Sequence, residues 1–140
     1  MIYHRPIQIE FNHCDPAGIV FYPRYFEMTN SVAENFFREV VGETYATMIA
    51  RAEGTPTVTL SAEFLLPSRL GEVLDWRLTI EALGRSSMDL LLVAACGGED
   101  RLRVKKRLVY AGLRGGQPAA LPWPAPLRDR LEAFRSAPDI

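Results

Sequence analysis

Hydrophobic and polar residues alternate over residues 7–11, with Ile7, Ile9 and Phe11 on one side and Gln8 and Glu10 on the other, which predicts a half-buried strand. The next run, Asn12-His13-Cys14-Asp15-Pro16-Ala17-Gly18, is a polar loop in which Pro16 holds Asp15 extended and Gly18 admits a sharp turn. Pro23 then suits a first helical position, and the period lengthens to three or four residues through Tyr25, Met28, Val32, Phe36 and Val40. A helix over residues 23–42 follows, with Gly42 as its C-terminal cap and Arg24, Glu27, Ser31, Glu34 and Arg38 along its polar face. Residues 43–53 fit a second, short helix that Gly54-Thr55-Pro56 ends.

The second half returns to a period of two. Strands are predicted over residues 58–66, 74–82, 88–96 and 101–113, separated by Pro67-Ser68-Arg69-Leu70-Gly71, Gly84-Arg85-Ser86-Ser87 and Gly97-Gly98-Glu99-Asp100. Such short loops imply a four-stranded meander. Pro118, Pro122, Pro124 and Pro126 then block regular structure ahead of an amphipathic segment, 127–134, that is expected to be peripheral. A strand, a long helix and consecutive strands predict an α+β layer, one sheet packed on one helix. Its open edges call for a second subunit, hence a homodimer or homotetramer.

Composition narrows the class. At 140 residues the chain has room for one domain, and a net charge of -1 offers no general field for nucleic acid. No apolar run approaches the ~18 residues that span a bilayer, and the N-terminus lacks a signal-peptide core. With two cysteines, no metal-binding Cys spacing, no phosphate loop and no dinucleotide fingerprint, a cytoplasmic protein without metal or cofactor is expected.

Within the polar loop Asp15 carries the clearest chemistry. An ionised carboxylate can attack an electrophilic carbonyl or take a proton from water. The helix that starts a few residues later has unpaired amide N–H groups at its first turn, which can receive the charge developing on a carbonyl oxygen. The plainer alternative is an Asx-turn residue that only caps the loop. Cys14 beside His13 is no nucleophile–base pair, since adjacent side chains of extended backbone diverge. Glu34, with Arg38 one turn on, reads as half of a surface ion pair. Two basic features could meet phosphate: Arg85, with Ser86 and Ser87, where glycine and serine leave amides accessible, and Arg101, Arg103, Lys105 and Arg107, which share one strand face and for the most part read as a solvated, edge-protecting charge run.

The run Asp15-Pro16-Ala17-Gly18-Ile19-Val20-Phe21-Tyr22-Pro23-Arg24-Tyr25 resembles the signature of the 4-hydroxybenzoyl-CoA thioesterase family, in its Pseudomonas-type branch. That resemblance, over roughly residues 7–113, implies a hotdog fold: a five-stranded antiparallel sheet wrapped around the long central helix. It implies an acyl-CoA thioesterase acting on a small, possibly aromatic, acyl group, with medium-chain aliphatic thioesters as runner-up. Asp15 would be the catalytic carboxylate and the backbone N–H of Tyr22 the oxyanion donor. Gly18, Asn30 and Thr57 would meet the acyl group, and Arg85, Ser86 and Ser87 the coenzyme A nucleotide. His13 departs from the family, whose members often carry Asp there; it is open whether His13 orients Asp15 or only shapes the loop. Asn30 falls where the hydroxybenzoyl enzyme has an aspartate for the substrate hydroxyl, so the preference for that hydroxyl should relax. The alternatives are a hotdog hydratase or dehydratase, for which only His13 and Asp15 offer an acid–base pair, and a non-catalytic acyl-CoA or acyl-carrier-binding module.

Overall fold

The computed structural model describes residues 1–135. Strand β1 (Tyr3–Gln8) pairs antiparallel with β4 (Val73–Leu83), the pairing ending at Gln8 and Val73. The strand lies earlier than the alternation suggested. Ile9 is buried, but Phe11 opens a 3-10 turn (Phe11–His13) with its side chain exposed. A reciprocal cap turns the chain there, the Glu10 N–H donating to His13 Nδ1 at 2.9 Å while the Glu10 side chain accepts from the His13 backbone.

Helix α1 (Pro23–Phe36) runs on through a widened π turn (Phe37–Val41) to Gly42, whose φ of +78° and N–H bond to Phe37 O make the predicted cap. Tyr25, Met28, Val32 and Phe36 are buried along its predicted face. The second helix, α2 (Tyr45–Ala50), is shorter than 43–53: the Thr44 hydroxyl caps its start by accepting from Thr47 N–H, and Glu53 already lies in β2 (Glu53–Gly54).

Strands β3 (Thr57–Phe64), β5 (Ser87–Cys96) and β6 (Glu99–Val109) complete a five-stranded antiparallel sheet of order β1-β4-β5-β6-β3. It packs on α1 in the α+β hotdog arrangement. The meander is confined to β4, β5 and β6. β3 does not pair with β4, its neighbour in sequence; the chain crosses after Phe64, and β3 lies on the far side of β6, with Leu60 opposite Lys106. The last strand breaks at Tyr110, after which β7 (Ala111–Gly112) joins β2 and β8 (Ala119–Ala120) in a small second sheet.

The tail is not peripheral. Helix α3 (Ala125–Glu132) inserts Leu127 and Leu131 into the core, Trp123 stacks on Tyr110 with ring centroids 5.1 Å apart, and Phe134 meets Phe36 edge-on. The prolines end strands and start α3, but the apolar residues between them keep helical spacing and are buried.

The expected basic strip also divides. Arg103, Lys105 and Arg107 are exposed and face Asp100, Glu81 and Asp89. Arg101 is 7% exposed and forks onto Glu72 with bonds of 2.8 and 3.0 Å, its Nη1 also donating to Pro67 O at 3.0 Å. The chain after β3 turns across this end of β6, Leu65 and Leu66 N–H both donating to the Arg101 carbonyl. The Arg101 guanidinium and the Arg69 N–H hold the Glu72 carboxyl down at about 2.

A carboxyl lowered in the folded state gives stability that is present above the ordinary carboxylate value, near 4.5, and lost as pH falls toward 2. Glu72→Gln leaves the buried guanidinium facing only the exposed Glu99 carboxylate, 3.9 Å away. It should cost about 3 kcal/mol at pH 7 and flatten the acid side of the stability profile between pH 4.5 and 2, read by urea unfolding at several pH values.

Candidate active site

Asp15 sits in a loop whose shape the backbone determines. Its N–H donates to Ile19 O, its carbonyl accepts from Gly18 N–H, and its Oδ1 accepts from Ala17 N–H at 2.9 Å. This is an Asx turn closed by Gly18 at φ +79°, a conformation that a side-chain-bearing residue adopts only at a cost. The capping role is thus present, but it uses one oxygen. The other has no protein partner among the described residues, and the side chain is half-exposed.

The loop is laced to the turn between β3 and β4. Val20 N–H donates to Ser68 O, Leu70 N–H to Gly18 O, and Gly71 and Ile9 exchange bonds with their neighbours across the same seam. The Arg101–Glu72 fork secures that turn from beneath.

Helix α1 starts immediately after. Phe21 N–H is taken by His13 O, Arg24 N–H by Phe21 O and Tyr25 N–H by Tyr22 O, and Pro23 has none to offer. The N–H of Tyr22, the N-cap residue, is therefore the amide of this stretch with no backbone acceptor among the described residues. A carboxylate with one oxygen unspent and an amide N–H without a backbone acceptor thus stand within eight residues of each other in the chain. His13 stands differently: its Nδ1 accepts from Glu10 N–H, so the ring is engaged in the turn and no bond joins it to Asp15. Cys14 is a free thiol donating weakly to Glu10 O. Glu34 is exposed, and Arg38 turns from it to Asn35 and Glu39.

From Tyr22 a ridge of α1 runs through Phe26 to Asn30 beside the inward residues of β3. Phe64 touches Tyr22, Tyr25 and Phe26 with ring centroids 6.0 to 6.4 Å apart, yet remains 52% exposed. Val58 and Leu60 continue this exposed apolar strip. At its middle Asn30 Oδ1 accepts from Lys106 Nζ at 2.9 Å. Sequence reading overlooked Lys106, although the signal was there: among Leu102, Val104, Lys106 and Leu108 it is the single charged residue on the apolar side of β6.

Arg85, Ser86 and Ser87 occupy the turn between β4 and β5. The carbonyls of this turn face the tail: Arg128 donates to Leu83 O and Gly84 O, Trp123 to Arg85 O and Ser87 O, and Tyr110 to Ser86 O. That leaves the Arg85 side chain exposed and, among the described residues, without a carboxylate partner. Within one chain, however, this turn is at the opposite end of β4 from the Asp15 loop, about 30 Å of strand away. Thr57, exposed at the start of β3, lies at that far end too, opposite Leu108, whereas Phe64 lies beside Tyr22. The chain thus brings Asp15, Gly18 and Tyr22 together, sets Asn30 midway, and keeps Thr57 and Arg85 to Ser87 apart from them.

The family model of the thioesterase-like superfamily matches residues 9–134, well past residue 113 and through the tail. The 4-hydroxybenzoyl-CoA thioesterase of Pseudomonas sp. (strain CBS-3) is 33% identical over 82 residues, 57% of this chain and 58% of that protein, so the match spans little more than half of that relative. Among solved structures, a gentisyl-coenzyme A thioesterase superposes with a TM-score of 0.79 at 26% identity, over 91% of this chain and 99% of that one. An Asp-to-Asn mutant of 4-hydroxybenzoyl CoA thioesterase complexed with 4-hydroxybenzoyl CoA gives 0.81 at 26% identity, over 93% and 98%.

Proposed function

The chain belongs to the thioesterase-like superfamily, and we propose that it is an acyl-CoA thioesterase that hydrolyses an aromatic acyl-CoA to the free acid and coenzyme A. The observation that carries this reading is the pairing of the half-exposed Asp15 carboxylate with the unspent N–H of Tyr22 at the start of α1. Asp15 either removes a proton from an attacking water or adds to the carbonyl itself, giving an anhydride that water then cleaves. On either path the carbonyl oxygen gains charge and accepts a hydrogen bond from Tyr22 N–H. The C–S bond then breaks, the thiol leaves with a proton, and water supplies the oxygen of the acid. This chemistry uses no metal or cofactor, coenzyme A being part of the substrate. The aromatic strip of Tyr22, Phe26 and Phe64 suits an aryl ring, as do the aromatic substrates named for the relatives.

The working unit in this reading is a homo-oligomer. β3 is an edge strand with exposed Val58, Leu60 and Phe64, and antiparallel pairing of two such edges brings the Thr57 end of one copy to the Phe64 end of the other. Acyl contacts from Thr57 and phosphate contacts from Arg85, Ser86 and Ser87 would then be supplied by a neighbouring copy. The cytoplasm, where the free thiols of Cys14 and Cys96 stay reduced, is the compartment that fits.

Asp15→Asn keeps the Oδ1 acceptor for Ala17 N–H and so the fold, but should lower thiol release from acyl-CoA by ~10³-fold or more; near wild-type turnover would remove Asp15 from the chemistry. Light scattering on active protein should give a dimer or tetramer, and a monomer would contradict the shared site. Arg85→Ala should raise KM for acyl-CoA more than it lowers kcat, as loss of a remote phosphate contact does, with an unchanged KM excluding the role.

A further inference from the structure

Lys106 is 4% exposed, yet its ammonium has one protein hydrogen bond, to Asn30 Oδ1, and no carboxylate pairs with it among the described residues. Its cross-strand neighbours are Leu60 on β3 and Leu90 on β5, with Val104 and Leu108 before and after it on the same side of β6. A charge in such a setting is costly unless a partner of opposite charge offsets it. Burial brings its ammonium down to about 8, so it stays charged at neutral pH.

The position of this cation matters. Asn30 is exposed on the same ridge of α1 as Tyr22 and Phe26, eight residues or about 12 Å of helix beyond the proposed oxyanion amide. Phe26 and Phe64 line the interval, and Leu60 flanks its end. With its Oδ1 engaged, Asn30 offers amide N–H groups, and the ammonium has two further N–H groups of its own. The far end of the strip is therefore rich in donors, positively charged and short of acceptors.

We propose that Lys106, held by Asn30, is a specificity-determining residue that takes a negatively charged group on the acyl moiety, so that the preferred substrate is an aromatic acyl-CoA with a ring carboxylate. The inference rests on the thioesterase reading of the same site. A neutral phenol, by contrast, brings no charge to balance the ammonium and would be only weakly favoured over an unsubstituted ring. A charge-assisted hydrogen bond in this setting corresponds to a preference of about 10- to 100-fold.

The test compares kcat/KM for 3- and 4-carboxybenzoyl-CoA with that for benzoyl-CoA, by thiol release, in the wild type, Lys106→Met and Asn30→Asp. The wild type should favour at least one carboxylated substrate by 10-fold or more, and Lys106→Met should collapse that ratio to about 3-fold or less. Methionine fills similar volume without a charge, so the melting temperature should not fall. Asn30→Asp keeps the lysine but gives it an internal carboxylate, and should collapse the ratio in the same way while retaining the fold. Absence of any preference in the wild type, or a ratio that survives either substitution, would overturn the proposal. A shift in oligomeric mass with Lys106→Met and an unaltered ratio would also overturn it, by assigning the ammonium to a subunit contact. Failure of the wild type to release thiol from any of the three thioesters would instead count against the thioesterase reading.

Discussion

One buried fork, Arg101 onto Glu72, supports the arrangement on which the site depends. Arg101 belongs to β6, deep in the sheet, and Glu72 to the turn that leads into β4. Through Pro67 O and the amide of Arg69 the pair also fixes the rest of that turn. The Asp15 loop has little packing of its own, since Pro16 and Ala17 are exposed, and it is held in place by backbone bonds to Ser68 and Leu70. The position of the carboxylate is thus inherited from a salt bridge in the turn to which its loop is bonded. Burying such a pair brings little net stability, but it fixes geometry, because the guanidinium accepts the carboxylate in one orientation.

Much of this was legible in the chain. The helix from Pro23 to Gly42 is written in its apolar spacing and its terminal residues, and the Asp15 loop in its Pro and Gly. The pairing order of the strands was not, because alternation tells which face of a strand is buried and not which strand lies beside it. β3 reads as the neighbour of β4 and instead crosses to β6. The tail misled for a different reason. Its prolines announce breaks, and they outweighed Trp123, Leu127, Leu131 and Phe134, whose burial is what pins the carbonyls of the Arg85 turn. Lys106 is hard to see in the chain because a lysine within a charged stretch reads as solvated, and only the parity of the strand sets it on the apolar side.

The distribution of the candidate residues separates two kinds of information. What one loop and one helix start can hold, Asp15, Gly18 and Tyr22, is encoded locally and coincides with a contiguous motif. What lies at the far end of the sheet, Thr57 and the Arg85 turn, is connected to it only through architecture. A short motif can therefore specify one loop and the helix start beside it while leaving the rest of the surrounding surface unspecified.

The crossover of β3 also bears on the order in which the molecule assembles. β4, β5 and β6 are joined by turns of a few residues and can zip together early, whereas β3 must close a loop of some forty residues onto β6, and β1 one of about seventy onto β4. The strip beside α1 is thus completed by late, entropically expensive steps. Its outer strand, held to the sheet by β6 alone, then belongs to the less stable end of the native ensemble, so that this edge is the last to form and the first to open.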